Sequence, residues 1–129
     1  MFEKYIICPD SLRNTTTDCA VDGFAFDVRL AYYRGLVLSM VEGFEVTVDG
    51  HQLDAANLRL GVAGERFSFA ELASEAEARW EFTEAATIFA HQLGGLKHGA
   101  HEIAVVEILR ISYMPQPARR ADCKTLQVA

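Results

Sequence analysis

From Gly23 onward, apolar and polar positions alternate along the chain. In GFAFDVRLAYY, Phe24, Phe26, Val28 and Leu30 fall on one face and Ala25, Asp27, Arg29 and Ala31 on the other. That period of two is the mark of a half-buried antiparallel strand. Carrying the parity forward places Tyr32 inward and Tyr33 outward beside Arg29, before Arg34 and Gly35 begin a turn. The alternation resumes in FEVTVDG, where Phe44, Val46 and Val48 oppose Glu45, Thr47 and Asp49. Asp49-Gly50 then reads as a two-residue hairpin turn.

Further on, NLRLGVAGERFSF predicts two short strands around Gly64, and RWEFTEAATIFAHQL returns to strand. Between them FAELASEAEARW has helical composition, so one short helix is expected near residues 70–78. The longest β candidate is GGLKHGAHEIAVVEILRISYMP, with Ile103, Val105, Leu109 and Ile111 on one face and Ala104, Val106 and Ile108 on the other. Two apolar faces predict either a central strand covered on each side or a bulge that exchanges the faces. Pro115 and Pro117 should end it, because proline cannot donate to a central ladder, and CKTLQVA is a candidate last edge strand. About seven to nine short strands punctuated by turns predict an all-β fold, an antiparallel β-sandwich or a jelly-roll-like barrel. One such domain is expected over residues 1–129.

Composition narrows the partners. A chain of 129 residues can bury about two-thirds of its unfolded surface, enough for one core. The net charge of -6 comes with no compensating basic block, so neither nucleic acid nor an anionic membrane surface is an expected partner. MFEKYIICPDSL has too short an apolar run and too early an acid for a secretory leader, and no stretch approaches the ~18 apolar residues of a membrane span. A cytoplasmic location is expected. Cys8, Cys19 and Cys123 form no C-x-x-C pair and are odd in number, which fits reduced thiols.

Candidate chemistry is sparse. HGAH followed by Glu102 could belong to a metal site on a cupin-like barrel through His98, His101 and Glu102, but a mononuclear site needs three or four convergent ligands. A glycine corner, with His101 opening the next strand, is the stronger reading. Glu107 interrupts an apolar register: it is either a buried carboxylate with acid or base potential, or one turned to solvent by a bulge or paired with an arginine. Trp80, between Arg79 and Glu81, either packs in the core or stacks on a ligand. No G-x-S-x-G, P-loop or G-x-G-x-x-G occurs, so no nucleophile elbow or nucleotide cradle is indicated.

PDSLRN near the start, YYRGLVLS, RWEF with ATI shortly after, and HEI leading into LRISYMP occur in an order that resembles the small β subunit of bacterial C-glycoside deglycosidases. The resemblance spans nearly the whole chain. It implies a β-rich subunit with no catalytic residue and no cofactor of its own. The larger α subunit it implies is a (β/α) barrel carrying a divalent metal, often manganese. Together the two would cleave the C–C bond between a 3-keto sugar and its aglycone, as subunits of a carbon-carbon lyase. The chemistry is sound: a 3-keto group acidifies the neighbouring C–H, a metal can stabilise the enediolate, and the expelled carbon must be protonated.

Under that reading Tyr32, Tyr33 and Arg34, with Tyr113 and Met114, are the candidate partner interface, since aromatic and arginine anchors concentrate in interface cores. The alternative is that Tyr32 and Tyr113 complete the core while Tyr33 covers a strand edge. Arg79 and Trp80 are candidate substrate-proximal residues. A competing function is a stand-alone carbohydrate-binding module with Trp80, Tyr32 and Tyr33 as stacking platforms.

Overall fold

Tight turns at residues with positive φ set out the strands. Asp18 and Cys19, at φ of 52° and 66°, join β1 (Arg13–Thr17) to β2 (Ala20–Arg29). Asp49 and Gly50, at 50° and 86°, join β4 (Val41–Val48) to β5 (His51–Gln52). Positive φ at both central positions belongs to the type I′ hairpin, whose twist matches that of the flanking strands. The computed structural model describes residues 6–30, 36–62, 64–72, 74, 79–81, 84–110 and 115–128. Within them lie also β3 (Leu36–Val37), β6 (Leu58–Val62), β7 (Glu65–Ser68), α1 (Phe69–Leu72), β8 (Arg79–Trp80), β9 (Ala85–His91), β10 (Gly99–Leu109) and β11 (Ala118–Val128).

Among the described residues the strands form a five-stranded sheet in the order β1-β2-β9-β6-β7, a four-stranded sheet β11-β10-β4-β5, and the small pair β3-β8. The described pairings are antiparallel. The expected all-β sandwich with one short helix is therefore the observed class, although the described helix is the single turn α1. β3, β5 and β8 are two-residue strands, too short for a periodic signal.

The core lies between the two large sheets. Phe24, Phe26 and Val28 of β2, Ile88 of β9 and Leu60 of β6 meet Val46 of β4 and Ile103, Val105 and Leu109 of β10. Burying each such side chain contributes about 1.5–3 kcal/mol. The predicted inward faces of β2 and β4 are the ones buried, and Ala25 is buried as well.

β10 corrects the sequence reading. It is central, but its register with β11 runs unbroken from Gly99↔Val128 to Leu109↔Ala118. The bulge is on β4, where the register jumps from Ile108↔Gly43 to Leu109↔Val41 and leaves Glu42 as the extra residue. The outer residues Ala104, Val106 and Ile108 are half-buried rather than covered by a second layer. Arg119 of β11 and Glu45 of β4, the cross-strand neighbours of Ile108 and Val106, pair at 2.7 Å. Joining the two strands that flank β10, the ion pair shelters its apolar outer side chains beneath long stems.

β11 is longer than CKTLQVA. It begins at Ala118, and its inward positions include Arg120, Asp122 and Lys124. Inward charges on an edge strand discourage pairing with another chain, and they also conceal the strand from a hydrophobic pattern. No helix among the described residues is long and apolar enough to cross a membrane.

Candidate functional site

The HGAH corner is built on the Asp49 turn. The Asp49 N–H donates to the Glu102 carbonyl at 2.9 Å, and Asp49 Oδ1 accepts the Glu102 N–H at 2.8 Å. Asp49 Oδ2 lies 2.6 Å from His101 Nδ1, and His101 Nε2 lies 2.7 Å from the Lys97 carbonyl. A carbonyl only accepts, so Nε2 carries a proton, while Nδ1 faces a carboxylate that favours a second. The Asp49 hydrogen bond accordingly raises the His101 pKa, and the His101 hydrogen bond lowers that of Asp49. Both ring nitrogens are thus committed to the corner and neither is presented as a metal ligand. Among the described residues no three His, Cys, Asp or Glu side chains are grouped to hold a metal ion.

Trp80 is a core residue with no exposed surface. Its indole Nε1 donates to the Glu84 carbonyl at 2.8 Å, and its ring packs tilted against Phe44 at a centroid distance of 6.0 Å. A wholly buried indole offers no face to a sugar, so the stacking-platform reading loses its tryptophan. Arg79 points outward, its Nε 3.1 Å from Glu81 Oε1. The two neighbours expected near substrate therefore stand on opposite sides of the surface. Of the alternatives for Glu107, the solvent-turned one is excluded: it faces the core with no exposed surface, in register with Arg120.

Tyr32, Tyr33, Arg34, Tyr113 and Met114 lie outside the described residues. The described residues flanking those two segments gather at one end of the sandwich. Arg29 pairs with Ala85, Glu84 accepts from the Trp80 indole, and Trp80 pairs with Leu36. Beyond them Arg110 N–H donates to the Met40 carbonyl at 2.7 Å. Beside this end the segment Ile6–Cys8 closes the sandwich: Ile7 bridges to Val28, and its N–H donates to Asp122 Oδ2 at 2.9 Å. Asp122 is 7% exposed and also accepts from Lys124 Nζ. Burial raises the Cys8 thiol pKa, which keeps it protonated.

A feature that the sequence reading passed over is a groove of about 300 Å³ on the outer face of the five-stranded sheet. Arg59, Arg66, Phe89, Asn57, His91 and Asp22 are among its lining residues. The Arg66 guanidinium lies 3.7 Å from the Phe89 ring centroid. The ring in turn rests on Gly61, where a Cβ would come within 2.7 Å of Phe89 Cε2. The available signal was the outward parity of Arg59, Arg66 and Phe89 on three short strands, β6, β7 and β9, which identifies the face but not their meeting.

The family described as C-glycoside deglycosidase beta subunit matches residues 2–113. A 3'-dehydrocarminate deglycosidase beta subunit from a Microbacterium species is 38% identical over 117 residues, covering 89% of this chain and 83% of the relative. A C-glycoside deglycosidase beta subunit from Eubacterium cellulosolvens is 30% identical over 114 residues, covering 88% and 78% respectively. Among solved structures, the CooA pilin subunit of enterotoxigenic Escherichia coli aligns over 95% of this chain and 92% of its own at 14% identity, with a TM-score of 0.32, too low to bear on the fold. With the family match extending over most of the chain and two relatives at this identity, the chain belongs to the C-glycoside deglycosidase beta subunit family.

Proposed function

We propose that this chain is the non-catalytic β subunit of a cytoplasmic, heteromeric C-glycoside deglycosidase. It supports a larger (β/α)-barrel α subunit whose divalent metal, manganese by preference, serves cleavage of the C–C bond in 3-keto C-glycosides. The observation that carries this reading is the family match over residues 2–113. The geometry is in keeping with it: His101, Asp49, Trp80 and Asp122 each hold one part of the sandwich to another. The subunit's contribution is then to stabilise its partner and shape the approach to the partner's site, with Tyr32, Tyr33, Arg34, Tyr113 and Met114 as anchors.

The test is to purify the chain from its own bacterium by affinity, weigh the intact complex, and assay it and the isolated chain on a 3-keto C-glycoside. The expected result is a stoichiometric barrel-type partner, with turnover by the complex and none by the chain alone. Turnover by the isolated chain, or a chain that emerges alone and monodisperse, overturns the proposal.

A further inference from the structure

We propose that the groove on the outer face of the five-stranded sheet binds a small organic or inorganic oxyanion, a carboxylate or phosphate group, on the guanidinium groups of Arg59 and Arg66. The inference goes beyond the subunit role and depends on the groove alone.

Register brings the two cations together. Arg59 of β6 is the cross-strand partner of Phe89 on β9, and Gly61 of β6 is the partner of Arg66 on β7. On one face, Arg59 and Arg66 are therefore diagonal neighbours on adjacent strands, close enough for their long side chains to share a ligand. Both are exposed. Like charges so placed repel unless an anion lies between them.

Among the described residues, four other arginines have carboxylates beside them. Arg13, Arg79, Arg110 and Arg119 each have one within 3.2 Å. Among the described residues neither Arg59 nor Arg66 has a carboxylate in ion-pair contact, although Glu71, whose carboxyl is held below the usual range by hydrogen bonds from Ser68, lies near enough for Arg59 to add to that effect. Each is nevertheless held in place. Arg59 Nη1 donates to the carbonyls of Ala56 and Leu58 at 3.0 and 2.8 Å, which leaves the donors on Nε and Nη2 uncommitted by these bonds. Arg66 is held flat over Phe89, a contact that orients the guanidinium without using its hydrogen-bond donors.

The same stack decides the ligand class. Arg66 covers one face of the Phe89 ring and Gly61 lies against its edge, so the stacking contact seen there is already made by a guanidinium. What the groove presents is a set of guanidinium N–H donors, whose geometry matches carboxylate and phosphate oxygens. At the opposite side Asp22, whose carboxyl is held below its usual range by the hydroxyls of Thr17 and Thr15, stays ionised and confines an anion to the arginine side.

Titration of the full chain with inorganic phosphate and, separately, with acetate, at ionic strength held constant with sodium chloride, tests this by two-dimensional NMR of backbone amides and arginine Nε–H groups. Saturable shifts at Arg59, Gly61, Arg66 and Phe89 are expected. Saturation by phosphate alone assigns a phosphate ligand, and saturation by acetate assigns a carboxylate. In Arg66→Gln and in the doubly substituted Arg59→Gln, Arg66→Gln chain the binding should be at least about tenfold weaker, the loss expected for charge-assisted hydrogen bonds. Shifts that merely follow chloride, or equal binding by the double variant, overturn the proposal. So does a groove insensitive to either anion whose signals change only when the partner subunit binds.

Discussion

His101 and Asp49, separated by 52 positions in the chain, face one another at 2.6 Å and join the β4–β5 hairpin to the start of β10. The ring is 12% exposed and the carboxylate 47%, so solvent screens the pair from one side only. Because the second ring nitrogen faces the Lys97 carbonyl, the imidazolium satisfies both acceptors at once.

This pair should make stability depend on pH in two opposite senses. The folded pKa of His101 is raised above 6.5, so its contribution is full below that value and is lost as pH rises through the raised one. The folded pKa of Asp49 is lowered below 3.8, so its contribution is present above that value and is lost as pH falls through the lowered one. Thermal melts of wild type and His101→Gln should therefore differ most between about pH 4.5 and 6, where both contributions are full, and the difference should narrow as pH rises through the raised His101 pKa. A difference independent of pH would mean that the ring acts through packing alone.

Trp80→Ala should destabilise the fold by about 3–5 kcal/mol, because it empties a fully buried site against Phe44. Urea unfolding measures this. A variant that melts like wild type would contradict the core placement of the indole.

Asp122→Ala should cost about 1–3 kcal/mol, since it leaves the buried Ile7 N–H without its acceptor. Asp122→Asn keeps an acceptor oxygen and should recover part of the loss. Amide hydrogen exchange at Ile7 provides the local readout: fast exchange in the alanine variant, intermediate in the asparagine. Equal protection in all three proteins would show that the N-terminal segment is held by other contacts.

Tyr33→Ala combined with Arg34→Ala should weaken binding to the partner subunit while moving the Tm little, as expected of anchors outside the core. Intact-complex mass and a melt of the same preparation decide it. Failure to fold would place these residues in the core.

The parts of the fold readable in sequence were those with a local cause. The alternation of Phe24, Phe26 and Val28 identified a strand and its inward face, and Asp49-Gly50 identified a hairpin by its backbone requirement. β1 went unread because Arg13–Thr17 is polar throughout; it is held by its ladder to β2 and by threonine hydroxyls on Asp22. The length of β11 was hidden by Arg120, Asp122 and Lys124, inward charges that a hydrophobic pattern assigns to solvent.

By itself the sequence determined the all-β class, the faces of the principal strands and, through its spaced motifs, the family. The class and the faces depend on neighbours a few residues apart, whose periodicity survives without knowledge of the rest of the chain, while the family depends on the order of motifs spaced along it. Only the tertiary structure decided that Trp80 and Glu107 are interior, that the β4 bulge rather than β10 absorbs the extra residue, and that Ile7 docks on Asp122, 115 positions away. The meeting of Arg59, Arg66 and Phe89 was decided the same way. Period-two parity says which side of a sheet a residue occupies; strand order and register say what it meets there, and those are set by packing across the whole chain.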